Sequence, residues 1–210
     1  MTADRTTLAL LLRIAALVAC SAGHATAEQG ARADPYACEG CEAVHERPAD
    51  SLTSTARVAG PEEPGERLVA TGTVFAADGK TPQEGVVIYL HQTNAAGLYA
   101  NGTDESEWSR RNGRLRAWVR TDGQGRYRFE TIKPAPYPDM TMPAHIHLMI
   151  GEPGRRPYYV DDIVFDGEFG VDAAYRQAQE LRGGSGIVSL VRDSDGVLVA
   201  RRDIVLERHP

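Results

Sequence analysis

The chain has no run of about 18 uncharged apolar residues, so its sequence offers no membrane-spanning helix. A basic excess is also missing. The 210 residues carry 23 Lys+Arg against 29 Asp+Glu, a net charge of -6. A nucleic-acid binder needs the opposite balance to match phosphates, so that class is set aside. Lysine is confined to Lys80 and Lys133. No internal repeat is visible, which argues against a solenoid or propeller. Helical patterns are absent between successive strand-like runs, which argues against a parallel α/β sheet.

Cysteine is scarce at 3 residues. Glu42 rather than His follows Cys41, so Cys38-Glu39-Gly40-Cys41 lacks the covalent haem signature. The pair reads most simply as a local disulfide in an oxidising compartment. A metal site with His45 would want a fourth ligand.

Residues 1–27 read as an export signal, with Arg5 and Arg13 beside a Leu-rich patch. Leu17-Val18-Ala19-Cys20 resembles a lipobox, which would tether the chain to a membrane through a lipid on Cys20. Ala25-Thr26-Ala27 is an alternative, ordinary cleavage site. The expected location is therefore the periplasm, the medium or a lipid-anchored place on a bacterial envelope. Residues 28–64 lack periodicity and are expected to form an irregular arm carrying the Cys pair. Residues 65–210 hold short alternating runs separated by Gly/Asp turns, among them Asp193-Ser194-Asp195-Gly196. One domain is expected there: an all-β antiparallel sandwich, Ig-like or prealbumin-like, with one short helix from Asp172 to Leu181. Trp118, Phe129, Phe165, Ile146 and Leu148 are its candidate core.

The densest chemistry lies in Thr131 to Pro138 and Pro143 to His147. Side chains alternate along a strand, so His145 and His147 share a face. Tyr137 sits in a Pro-restricted turn just upstream. Tyr99 follows His91-Gln92-Thr93-Asn94-Ala95-Ala96-Gly97-Leu98. Phenolate oxygens with imidazole nitrogens suit a hard, highly charged ferric ion better than zinc.

At these residues the sequence resembles the intradiol ring-cleavage dioxygenases, which include protocatechuate and catechol dioxygenases. The likeness runs from about Leu68 to Leu206. It rests on Gly72-Thr73-Val74, Gly85 to Leu90, Gln92 to Gly97, Thr121-Asp122, Gly125-Arg126-Tyr127, Thr131 to Pro138, Pro143 to His147 and Arg202 to Leu206. The Cys38 to Ala43 arm looks like an exported branch of the family. The resemblance implies Fe(3+) held by Tyr99, Tyr137, His145 and His147 with a solvent hydroxide. It implies a small aromatic diol and O2 as substrates, and a muconate-type diacid as product. Tyr99 would be the tyrosine that leaves the metal and takes a proton.

Three positions depart from the family pattern. Met142 stands where an Arg is common, Asp162 where a Gln is common, and His91 where a Trp is common. Arg114, Arg116, Arg155 and Arg156 are the candidates to replace the missing cation. Because of Met142 and Asp162, a second reading stays open: an envelope protein that binds iron or a catecholate without cleaving it. A third, a structural or carbohydrate-binding sandwich, leaves the Tyr/His spacing unexplained. No oligomeric state follows from the sequence.

Overall fold

A computed structural model describes residues 34–103 and 106–209. The expected export signal and Cys20 lie outside the described residues. Two sheets face each other. The first has the order β1 (Thr55–Arg57), β5 (Arg126–Ile132), β2 (Arg67–Phe75), β10 (Leu198–Arg201), β9 (Leu190–Arg192), with β11 (Ile204–Val205) also on β2. The second has the order β4 (Arg116–Arg120), β3 (Val87–Gln92), β6 (His145–Gly151), β7 (Tyr158–Phe165), β8 (Ile187–Val188).

The all-β class matches expectation, but the antiparallel sandwich does not. The pairs β1/β5, β10/β2, β11/β2 and β7/β8 are parallel. Alternating burial reports which face a residue occupies, not the direction of its neighbour. The parallel partners also lie far apart in the chain, as with Leu198 beside Leu68. The absence of a local β-helix-β crossover therefore could not exclude them. The β9/β10 hairpin at Asp193 to Gly196 does form, with the Asp193 carboxylate accepting from Asp195 N and Val197 N.

Between the sheets lies the main core, where Leu68, Ala70 and Phe129 meet Ile88, Leu90, Ile146 and Leu148. Phe165 belongs to it as well. Trp118 does not: it lies on the outer face of the second sheet, where its Nε1 donates to Ala43 O at 2.8 Å.

That outer face is covered by the segment expected to be irregular. Cys41–Glu46 forms a 3-10 helix whose Ala43 and Val44 pack with Val87, Tyr89 and Met149. A second 3-10 turn, Ala49–Ser51, leads to β1. Cys38 and Cys41 are disulfide-bonded, with Cα atoms 5.8 Å apart. The cover explains why all six residues of β3 are buried.

Among the described residues two α-helices are present rather than one. α1 (Glu107–Asn112) is capped by Ser106, whose side chain accepts from Ser109 N while Ser109 Oγ accepts from Ser106 N. α2 (Ala173–Gln177) starts at the expected cap Asp172 but stops before Leu181. The Asp161 carboxylate accepts from Leu181 N and Arg182 N, which draws the chain away from helical pairing. Among the described residues no helix is long and apolar enough to cross a membrane.

Candidate metal centre

Strand alternation builds the site. On β6, Ile146, Leu148 and Ile150 face the core, so His145, His147 and Met149 face outward. On β3 the outward set is Val87, Tyr89 and His91. The register sets His91 directly beside His147, with ring centroids 4.4 Å apart. The arm covers one part of this face and the two histidines of β6 occupy another.

Two loops then bring in the phenols. After β3, the Asn94 side chain accepts from Ala96 N and Leu98 N, which forms the tight turn before Tyr99. Thr93 Oγ1 donates to Ala135 O, and Ala135 N donates to Asn94 O, so this turn is tied to the Pro134–Pro138 segment. Gln92 Nε2 donates to Ile132 O at 2.9 Å and Thr131 Oγ1 donates to Gln92 Oε1, locking the base of both loops. Gly97 has φ +75, and a Cβ there would stand 2.0 Å from Pro136 O. Gly97→Ala is therefore expected to cost more than about 1 kcal/mol, because strain and clash add. A denaturant midpoint equal to wild type would reject this.

Four donor atoms converge. The Tyr99 phenol oxygen is 3.1 Å from that of Tyr137 and 2.9 Å from His147 Nε2. Tyr137's oxygen is 3.2 Å from His145 Nε2, and the two Nε2 atoms are 3.2 Å apart. The far sides of the rings decide the tautomers. His145 Nδ1 lies 2.7 Å from Pro143 O, which can only accept, so it carries the proton. His147 Nδ1 donates to Asp162 Oδ1 at 2.9 Å. Both Nε2 lone pairs therefore point into the space between the phenols. The phenol protons satisfy them, and a cation in their place would meet two phenolates and two imidazoles.

The electrostatics agree. Burial, reinforced by Tyr137, holds the Tyr99 phenol well above its ordinary pKa. Burial, then His147, pushes His145 down. Burial drives His91 well below the usual imidazole range. Burial would raise Asp162, but electrostatic attraction to His147 and the hydrogen bond from it bring that carboxyl below its usual value.

His145, His147 and Asp162 each bring a ligand-capable atom within 4.8 Å of one another, so the cluster could hold a metal ion. Within it Asp162 acts from outside, because its oxygen meets Nδ1 and not the Nε2 side. A β-bulge puts it there. Ile146 pairs with Ile163 and Leu148 with Val160, so two residues, Asp161 and Asp162, oppose His147 alone. Arg202 completes the bulge: its buried guanidinium donates to Asp161 O and, at 3.2 Å, to Arg182 O. Arg202 was not foreseen as part of the site, although a charge inside the apolar Val197 to Leu206 run was the available signal. Gly186 was likewise missed; a Cβ there would stand 2.0 Å from Asp162 O. Asp162→Ala frees the His147 ring and is expected to weaken metal affinity about 10–100-fold, as outer partners of metal-bound histidines typically do. Competition against a chelator checks this.

Among the described residues, none of the other expected ones has a hydrogen bond to the four donor atoms. Met142 is 39% exposed on the loop before β6. Arg116 is ion-paired with Glu46 and lies over Trp118, and Arg114 is paired with Glu63. Arg155 is 4.0 Å from Glu152, and Arg156 lies over Tyr36. The charges of Arg114, Arg116 and Arg155 are thus matched by acids, and Arg116 sits across the strand pair from His91.

The sequence model of a dioxygenase family, Dioxygenase_C, matches residues 39–185. The chain belongs to the intradiol ring-cleavage dioxygenases. The chain is 39% identical over 92 residues to the protocatechuate 3,4-dioxygenase beta chain of Burkholderia cepacia, covering 41% of this chain and 39% of that protein. It is 31% identical over 151 residues to catechol 1,2-dioxygenase 2 of Acinetobacter lwoffii, covering 59% of this chain and 53% of that one. The chain thus spans about half or less of these curated relatives' length. Among solved structures, the dioxygenase domain of a carbohydrate-binding fusion from Streptomyces sp. SirexAA-E shares the fold at TM-score 0.56 and 22% identity, covering 84% of this chain and 100% of that one. Catechol 1,2-dioxygenase from Acinetobacter sp. ADP1 does so at TM-score 0.55 and 24% identity, covering 76% of this chain and 58% of that one.

Proposed function

We infer that this dioxygenase is a non-haem Fe(III) enzyme that opens a catechol-type aromatic diol with O2, both oxygen atoms entering a muconate-type diacid. The observation that carries this reading is the convergence of two phenols and two imidazoles whose outer hydrogen bonds aim both Nε2 lone pairs inward. Two phenolates neutralise much of a trivalent charge, which suits ferric iron. When bound, the ion supplies Lewis-acid activation and a template for the diol.

The chain's own residues do the rest. Pro143 O and Asp162 hold the two imidazoles in the ligating tautomer. Tyr99, whose oxygen lies 2.9 Å from His147 Nε2 in the donor cluster, is placed to accept a diol proton when it is ionised. Tyr137 is held by its proline turn, where Met140 N donates to Tyr137 O at 2.8 Å. Residues 1–27 are assigned to export, with Cys20 as a lipid-anchor candidate, and the mass of the mature envelope-fraction chain tests that assignment.

The functional test is direct. The iron-loaded protein should be red-brown from phenolate-to-iron charge transfer and should consume O2 with a catechol panel. Tyr137→Phe should lose much of the visible band. A colourless protein that takes up no ferric ion would refute the metal assignment. The second reading, a binder without turnover, is favoured by uncharged Met142 at the position of a common family cation. Diol-induced spectral shifts without O2 uptake across the panel would support it.

A further inference from the structure

A cleft of about 470 Å3 adjoins the four-donor cluster. Its floor includes His91, His147 and Asp162, and its walls come from the disulfide-bonded arm at Cys38–Gly40, from α1 and from the segment around α2. Tyr99, Tyr137 and His145 do not line it, so it leads away from the centre on the His147 side. This volume lies within the roughly 300–1,000 Å3 of sites that enclose drug-sized molecules, and exceeds what one benzene diol fills.

The lining has a definite chemistry. Trp108, Tyr159 and Tyr175 present aromatic surface. Among the described lining residues Arg111 is the single Lys or Arg, and it is already ion-paired with Glu39. Asp161, Asp162 and Glu180 add acid to the same walls. A carboxylate entering here would lose water and meet acids, with no uncommitted cation to compensate. A second aromatic ring would instead gain apolar and edge-to-face contacts.

We propose that the cleft receives the substituent of an extended, uncharged aryl diol, whose diol ring sits at the donor cluster and whose second ring lies against Trp108 and Tyr175. This rests on the dioxygenase reading above and adds the substrate class. The disulfide-bonded arm is then part of the specificity wall as well as a cover for the sheet.

Anaerobic calorimetry on the iron-loaded protein tests it with three probes: catechol, 4-phenylcatechol and 3,4-dihydroxybenzoate. The phenyl compound should bind at least about tenfold tighter than either of the others, the scale of one added apolar group in a fitted pocket. Trp108→Ala and, separately, Tyr175→Ala should remove that advantage and leave catechol affinity unchanged. Because Gly40 packs near the Trp108 ring, Tyr175→Ala on the short outer helix serves if the first variant unfolds. Glu39→Gln releases Arg111 and should improve dihydroxybenzoate binding severalfold. Equal or tighter binding of the carboxylated probe by wild type overturns the proposal, as does an unchanged phenyl advantage in Tyr175→Ala. Oxygen uptake with catechol is scored separately. Phenyl-selective binding without O2 uptake refutes turnover and keeps the cleft assignment, whereas uptake with no phenyl preference does the reverse.

Discussion

Replacing His147 with alanine is expected to abolish stoichiometric iron binding and to lower kcat by at least about 10³-fold, the scale of several kcal/mol of metal-supplied stabilisation. His147 has the most connections in the site. Its Nε2 meets the Tyr99 oxygen and His145 Nε2, its Nδ1 donates to Asp162, and its ring lies tilted against that of His91. Removing the ring takes a hydrogen-bond partner from Tyr99 and from Asp162, a carboxylate held low by that same histidine. Stability should fall as well, so iron per folded chain must be measured beside oxygen uptake. A variant that keeps one iron per chain and a tenth of the wild-type kcat would show that the donor set is misassigned.

Loading the site should release at least two protons per ion. In the metal-free site the tautomers require both phenols to carry protons, because each imidazole Nε2 offers only a lone pair. Burial raises the Tyr99 pKa above the ordinary phenol value, so this proton is held firmly at neutral pH. A cation must displace it. Metal affinity therefore rises with pH throughout the range below the phenol pKa and falls as pH drops, by about two orders of magnitude per pH unit for two protons. Proton release, read with an indicator dye against a chelate blank, checks the count. Tyr99→Phe and Tyr137→Phe should each lower it by one. Release that does not change in either variant would remove the phenols from the ligand set.

Some of this was legible in the residues. His145 and His147 share a face because strand side chains have a period of two, and nothing in the tertiary structure alters that. Tyr137 is surrounded by prolines whose restricted backbone is a local property. The Asn94 turn before Tyr99 is also local. Asp162 is different. Regular alternation through Tyr158, Tyr159, Val160 and Asp161 would turn Asp162 toward the core. The bulge opposite His147 breaks that phase and turns two successive acids outward. The paired acids between Val160 and Ile163 hint at the interruption, but the partner that completes it, Arg202, comes from the far end of the chain. The arm was opaque for a related reason. Its buried residues Ala43 and Val44 have no periodicity of their own, since they fill a surface supplied by Val87, Tyr89 and Met149.

What the sequence by itself determined is therefore the chemical kind of the site: two tyrosines, two histidines and a strand that presents the histidines together. Only the tertiary structure decided that their four donor atoms meet, that Asp162 and Pro143 O select the tautomers, that parallel pairs enter both sheets, and that the arm and α2 enclose an acidic, aromatic cleft. The physical reason is range. Strand alternation, turns and caps depend on residues a few positions apart, whereas a bulge filled by a distant arginine depends on how two sheets pack.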